Sequence, residues 1–119
     1  MKNLATLFYI PALIFFCSCP GFTEEDWYEK GLYFNRTGQY EMALDAFSRD
    51  LENNPANPNA WNNRGAVHYG LKNYQQAVRD YTRALELKPD SPPYLINRGA
   101  AWFKLSEFDK TLADYSRAI

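Results

Sequence analysis

The chain contains few of the residues on which metal binding and nucleophilic catalysis depend. Its 119 residues include two cysteines, Cys17 and Cys19, and one histidine, His68. A structural metal site takes about four nitrogen or sulfur ligands, and cysteines two positions apart make a poor disulfide. Neither a glycine-rich phosphate loop nor a nucleophile elbow occurs. We therefore expect no catalytic residue, no metal and no cofactor.

An excess of charge of one sign is also absent. The sequence has 13 basic and 14 acidic residues, a formal net charge of -1, and no block of like charge. Nucleic-acid binding rests on a basic patch or stripe, so we expect no nucleic-acid partner. Hydrophobic residues make up 46% and charged residues 23%, which is typical of one folded domain and excludes a disordered chain.

Long hydrophobic runs are limited to the N-terminus, where residues 4–16 carry no charge and follow Lys2. A 13-residue helix spans about 20 Å, short of the roughly 30 Å core of a bilayer. A basic start, an apolar core and then small residues are typical of a secretory signal peptide. We predict a signal peptide at residues 1–19, a linker at 20–23, and export to the periplasm, cell envelope or extracellular space. A retained anchor and a buried N-terminal helix are the alternatives.

The end of this segment, Phe16-Cys17-Ser18-Cys19, resembles the lipobox of bacterial lipoproteins. In that motif an apolar and a small residue precede a cysteine that is lipidated after cleavage. Ser18 fits the small position and Cys19 the modified one, whereas Phe16, Cys17 and Pro20 are unusual at theirs. The resemblance implies a membrane anchor on Cys19. Ordinary cleavage, which would leave a soluble exported protein, is the alternative.

The remainder of the chain is an internal repeat. Gly31, Gly65 and Gly99 are spaced 34 residues apart, and so are an aromatic position and an arginine position: Phe47, Tyr81 and Tyr115; Arg49, Arg83 and Arg117. Within a unit, apolar residues recur at the spacing of a helix face, pause at a turn and resume. Asn-Pro or Lys-Pro then ends the second run. The pattern predicts an all-α fold built of helix pairs.

The glycine in each predicted first helix needs an explanation, because glycine there lowers helix stability by about 1 kcal/mol relative to alanine. A neighbouring helix that approaches closely would supply the cause, since a side chain would hold the two helices apart. Ala43 and Ala77 are the small residues expected on that helix, with the repeated rings beside them. Arg64 and Arg98 precede two of the glycines, and we expect their stems to cover apolar neighbours while their charges stay in water.

The repeat resembles the tetratricopeptide repeat (TPR), whose pattern is W-x2-L-G-x2-Y, then A-x3-F and P. Trp27, Gly31, Ala43, Phe47 and Pro55 carry the resemblance in the first unit. It covers units at 24–57, 58–91 and 92–119, the last incomplete. The family implies a right-handed superhelical solenoid of antiparallel helix pairs that binds a peptide or protein and is not an enzyme.

The resemblance also implies a concave groove lined by the first helix of each unit. The candidate groove residues are Tyr28, Glu29, Leu32, Asn35, Asn59, Asn62, Asn63, Ala66, Tyr69, Ile96, Asn97 and Phe103. Asparagine amides can bond the backbone of an extended peptide, and aromatic rings offer flat apolar contact. For Tyr69 and Phe103, packing between units is an equal alternative.

Some family members capture the acidic C-terminus of heat-shock chaperones with a clamp of Lys, Asn and Arg side chains. Four of the five clamp positions differ here, namely those of Tyr28, Leu32, Pro93 and Asn97. Only Asn63 matches. We therefore expect no chaperone clamp in this protein.

The third unit reaches Ile119 within its second helix. Terminal repeats normally carry a polar helix over their outer face, so we expect Leu112, Tyr115 and Ile119 to be partly exposed. Two interpretations follow: self-association or partner binding through this helix, or an N-terminal fragment of a larger repeat protein with a structural or assembly role.

Overall fold

The computed structural model describes residues 26–119. In that range the chain forms six α-helices: α1 (Trp27–Arg36), α2 (Tyr40–Asn53), α3 (Pro58–Gly70), α4 (Tyr74–Leu87), α5 (Pro92–Lys104) and α6 (Phe108–Ala118). The predicted all-α class is confirmed, with the helices packed as adjacent pairs. None of these six helices is long and apolar enough to cross a membrane. The predicted signal peptide, the linker at 20–23 and Cys19 lie outside the described residues.

Proline sets the start of two first helices. Pro58 and Pro92 each occupy the first turn, where a missing N–H costs nothing and the fixed φ angle suits a helix. The side chain of Asn57 accepts a hydrogen bond from the Asn59 N–H at 3.1 Å and so caps α3. Helices α3 and α5 therefore begin at residues 58 and 92, the first residues of the second and third predicted units.

The turn inside each unit contains one residue with left-handed backbone. These residues are Gly38 (φ 77°), Lys72 (φ 64°) and Ser106 (φ 62°), one in each unit. For a residue with a Cβ atom this conformation costs about 1–2 kcal/mol. Lys72 and Ser106 adopt it nonetheless, so the turn geometry is repeated even where glycine is not.

The core is formed between units as much as within them. Each unit pairs its own two helices, and α2 then packs on α3 as α4 packs on α5. The buried residues form three clusters: Ala43, Phe47 and Val67; Ala77, Val78, Tyr81 and Ala101; Ala84, Leu85, Tyr94 and Leu95. Each cluster joins a second helix to the first helix of the next unit, which is the nearest-neighbour pattern of a solenoid.

The expected reason for the repeated glycines is confirmed. A Cβ atom on Gly31 would lie 2.5 Å from a ring carbon of Phe47, and one on Gly65 would lie 2.8 Å from a ring carbon of Tyr81. At Gly99 the distance to the ring of Tyr115 would be 2.5 Å. All three are far inside van der Waals contact. In each unit the ring of the second helix therefore occupies the space that a first-helix side chain would need.

The expectation that the two arginine charges stay in water is wrong. The Nε and Nη2 atoms of Arg64 donate to the two carboxylate oxygens of Asp80, both at 2.8 Å. Arg98 donates to Asp114 in the same way, at 2.8 and 2.7 Å. Both aspartates are buried. Bidentate pairing of this kind fixes orientation as well as charge, so the arginines hold the two helices of a unit together.

The same arginines also reach the preceding unit. Arg64 Nη1 donates to the hydroxyl of Ser48 at 3.1 Å, and Arg98 Nη1 donates to that of Thr82 at 3.3 Å. In the first unit Lys30 and Ala46 occupy the arginine and aspartate positions, and Lys30 stands over the ring of Trp27 at 4.2 Å. The arginines therefore join units two and three to their predecessors.

Candidate functional site

Side-chain hydrogen bonds join the first helices to one another across the predicted groove face. Asn63 Nδ2 donates to Tyr28 Oη at 3.1 Å, which links α3 to α1. Asn97 Nδ2 donates to Asn62 Oδ1 at 3.0 Å, which links α5 to α3. The Tyr94 hydroxyl donates to Asn59 Oδ1 and adds a second link between α5 and α3. The predicted groove residues of three helices are thus brought into one row, which we call the amide row.

The amide row changes the role expected of the asparagines. Five were expected to be free to bond a peptide, yet four of them already bond a neighbouring first helix, namely Asn59, Asn62, Asn63 and Asn97. An amide offers two N–H donors and a carbonyl oxygen. Asn63 and Asn97 use one N–H each in these bonds, so their carbonyl oxygens remain as acceptors for a partner.

The structure separates the two aromatic candidates for which packing was an equal alternative. Tyr69 is half-buried against the cluster of α4 and α5, and its ring lies 5.2 Å from that of Tyr74 in an edge-to-face arrangement. Phe103 is exposed, although its ring contacts that of Phe108 at 5.5 Å. Packing therefore accounts for Tyr69, and Phe103 remains available to a partner.

The other predicted groove residues divide by exposure. Tyr28 and Leu32 pack against the cluster of α2 and α3. Those half-buried are Asn35, Asn62, Asn63, Ala66 and Asn97. Those exposed are Glu29, Asn59, Ile96 and Phe103. The accessible surface is therefore acidic on α1, amide-rich on α3 and apolar on α5.

Carboxylates surround the α1 end of the face. Burial raises the pKa of Tyr28, the hydrogen bond from Asn63 lowers it, and the charges of Glu29 and Asp50 raise it further. Burial likewise raises the pKa of Asp50, a hydrogen bond with the side chain of Asn57 lowers it, and the charge of Asp26 raises it further. Asp50 Oδ2 is buried without a hydrogen-bond partner among the described residues. Acidic side chains, namely Glu29, Asp50 and Asp26, therefore lie near this end of the face.

Sequence analysis did not identify two residues of this region, Tyr94 and Asp50. Tyr94 follows Asn59 by 35 residues, and the same separation joins Tyr28 to Asn63 and Asn62 to Asn97. That shared spacing is the sequence pattern that would have found Tyr94. Asp50 shows no such spacing, and nothing in the sequence indicates that it lies near Tyr28.

His68 occupies an interior position in the second unit, where its neighbours are charged. Its Nε2 atom lies 3.9 Å from Asp80 Oδ2, and its Nδ1 atom is buried without a partner among the described residues. Burial lowers the pKa of His68 and the Asp80 charge partly opposes that shift. In residues 26–119 no group of three histidine, cysteine or acidic side chains is arranged to hold a metal ion.

Comparison with known proteins agrees with this architecture. Residues 58–91 match the family model of the tetratricopeptide repeat. No curated protein gives a significant match to the chain. The first TPR domain of Spaghetti (RPAP3), solved bound to the HSP90 peptide SRMEEVD, is similar with a TM-score of 0.76 and 29% identity. That match covers 77% of this chain and 73% of that one.

Two further solved structures extend the comparison. The TPR domain of Arabidopsis OM64 gives a TM-score of 0.75 at 27% identity, over 77% of this chain and 76% of that one. MamA AMB-1 gives 0.74 at 20% identity, and the match spans 77% of this chain but only 50% of MamA. The identity with MamA is low enough to show the fold alone. The chain is therefore a TPR-like solenoid of about three units.

Proposed function

We propose that the protein is a non-enzymatic scaffold that binds a peptide or protein segment on the face formed by α1, α3 and α5. The observation that carries the proposal is the amide row, which aligns the three helices and leaves Glu29, Ile96 and Phe103 exposed along it. The similar TPR domain of Spaghetti is bound to a peptide, which supports the same use of the fold here.

The partner differs in chemistry from the HSP90 peptide SRMEEVD. That peptide contains two glutamates and an aspartate, whereas Tyr28, Leu32 and Pro93 replace basic or amide residues of a chaperone clamp. Arg64 and Arg98 are engaged by buried aspartates and supply no free charge. We expect the SRMEEVD peptide to bind this chain no more tightly than a scrambled version does, as measured by fluorescence anisotropy.

Selection from a library of random ten-residue peptides tests the binding face. We expect peptides selected on the wild-type chain to lose at least about tenfold in affinity for an Ile96→Ser, Phe103→Ser double variant, because exposed apolar anchors of this size contribute on the order of 1 kcal/mol each. Met42→Ser, which changes an exposed apolar residue on α2, is the matched control. Failure to select any peptide, or equal loss in the control, would contradict the proposed face.

We also propose export, with an anchor on Cys19. The uncharged run at residues 4–16 and the order Phe16-Cys17-Ser18-Cys19 support this part of the proposal. Membrane fractionation of wild type and Cys19→Ala tests the anchor. Release of the variant from the membrane fraction is the expected result, and unchanged partition would exclude lipidation.

Self-association through the outer face of α6 is a further part of the proposed scaffold role. Phe108, Leu112 and Tyr115 lie on this face and are exposed. Exposed apolar stripes of this kind are typical of interaction surfaces. Light scattering should show a concentration-dependent mass that Leu112→Lys reduces to the monomer. A monodisperse wild-type monomer at high concentration would count against self-association.

A further inference from the structure

We propose, on the basis of the binding face described above, that the bound segment carries a lysine or arginine that contacts Glu29 and a bulky apolar residue that contacts Ile96 and Phe103, about five or six residues apart. This assigns the partner a composition and an orientation across the helices. It rests on the proposed function, and the two can fail separately.

The α1 end of the face presents acidic side chains, and the nearby basic residues of the first helices are engaged by other groups. Glu29 is exposed, and its N–H bonds the carboxylate of Asp26 at 3.2 Å, which holds a second acid beside it. Lys30 stands over the ring of Trp27 at 4.2 Å, and the equivalent arginines of α3 and α5 bond buried aspartates. Arg36 lies seven residues along α1, about 10 Å away, where ordinary salt screens its charge.

Asp50 on α2 adds to the negative potential at Tyr28. One of its oxygens is buried without a hydrogen-bond partner among the described residues, and its charge raises the pKa of the neighbouring Tyr28. A group whose ionised form is disfavoured by burial gains from any added cation. A basic side chain seated beside Glu29 would therefore interact with more than one carboxylate.

The opposite end of the face is apolar, and the exposed Lys104 that follows Phe103 is basic rather than acidic. Ile96 and Phe103 are separated by seven residues on α5, so they share one side of that helix, and both are exposed. Between them and α1 lie the half-buried amides of Asn62, Asn63 and Asn97. Charge complementarity therefore places a basic residue at α1, and apolar contact places a bulky residue at α5.

The distance across the face sets the spacing. Packed helices lie about 8–10 Å apart, so the two steps from α1 through α3 to α5 cover roughly 16–20 Å. An extended chain advances about 3.3 Å per residue. Five or six residues therefore separate the basic anchor from the apolar one.

The test uses the full chain and the same random ten-residue library, with sequencing of the selected peptides. Lysine and arginine should be enriched over aspartate and glutamate by roughly two- to fivefold, the range of an exposed ion pair, with an apolar residue five or six positions away. Glu29→Gln should abolish the basic enrichment and keep the apolar one. Glu29→Lys should shift the preference to acidic residues. Glu52→Gln, which neutralises an exposed carboxylate on α2, should leave the selection unchanged.

The possible outcomes separate the two proposals. If peptides are selected through Ile96 and Phe103 but show no basic preference, or the same preference in Glu29→Gln, the inference is overturned and the binding face stands. If no peptide is selected by the wild-type chain, both fail. Circular dichroism of each variant confirms that the helices are retained, and a basic preference that disappears at about 0.5 M salt further supports an ion pair.

Discussion

Helices α4 and α6 have the same residue pattern but different surroundings. Val78 on α4 is 7% exposed, whereas its equivalent Leu112 on α6 is 64% exposed. Tyr81 and Tyr115 differ in the same sense, at 2% and 37%. The difference arises because α5 covers α4, whereas no helix among residues 26–119 covers that face of α6. In a solenoid, the contribution of a repeated residue to stability is therefore set by the adjacent unit as well as by its own.

Removal of the repeated ring should give the largest difference in stability between the α4 and α6 variants. We expect Tyr81→Ala to lower the free energy of unfolding by about 3–5 kcal/mol, the usual cost of deleting a buried ring. Tyr115→Ala should cost about 1–2 kcal/mol, because much of that ring is already hydrated. Urea unfolding followed by circular dichroism measures both. Equal losses would show that α6 is as well covered as α4.

The arginine pairs should behave alike in the two units, since both have the same geometry and burial. Asp80→Asn and Asp114→Asn should each cost about 2–3 kcal/mol, because each leaves a partly buried guanidinium without its charge partner. The double variant Arg64→Met, Asp80→Leu should lose less than Asp80→Asn, since it leaves no unpaired charge. A clearly smaller cost at Asp114 would show that the exposed face of α6 also weakens its ion pair.

Substitution of the repeated glycines should also affect stability differently in the second and third units. Gly65→Ala forces a Cβ against the buried ring of Tyr81 and should cost about 1–2 kcal/mol, the overpacking penalty less the helix propensity gained. At Gly99 the ring of Tyr115 is partly exposed, so we expect it to shift outward and the net change to lie within about 0.5 kcal/mol of zero. Thermal unfolding of the two variants side by side decides this. A larger loss at Gly99 than at Gly65 would contradict a mobile Tyr115.

The smallest effect concerns the position of His68, which Phe34 and Trp102 occupy in the other units. Burial lowers the pKa of His68 from its ordinary value of 6.5, so below pH 6.5 the unfolded chain binds more protons than the folded one. Stability should therefore fall as the pH drops through that window, by at most about 1.4 kcal/mol per pH unit.

His68→Phe isolates that contribution, because the chain has no other histidine. We expect the variant to show a shallower loss of stability between about pH 7 and pH 5 than the wild type. The charged groups that influence His68, namely Asp80, Arg64, Arg79 and Glu41, remain in both proteins. Identical pH profiles would mean that His68 has the same pKa in both states.

The sequence predicted those features of the fold that are decided by the spacing of residues along the helices. The 34-residue spacing gave the helix pairs, and the glycine positions gave the close approach of the rings. The role of Arg64 was predicted wrongly because its partner, Asp80, lies 16 residues away on another helix. The same separation recurs between Arg98 and Asp114, so the pattern was present without its geometry being evident.

The candidate face was harder to predict than the fold. The periodicity of the first helices indicated which residues share a side, but the bonds of the amide row join residues 35 apart. One repeat plus one residue separates the partners because one position of a first helix faces the next unit and the following position faces the preceding unit. Which position faces which unit depends on the packing of whole helices, so the sequence did not show that the asparagines bond one another.

The amide row has a consequence for how a partner is chosen. Because bonds already tie α1 to α3 and α3 to α5, the width of the face is set before any partner arrives. A pre-organised surface loses little conformational entropy on binding, but it also adapts little to an ill-fitting segment. The face therefore has a fixed width. A segment whose two anchor residues are too close together can place only one of them in its contact site.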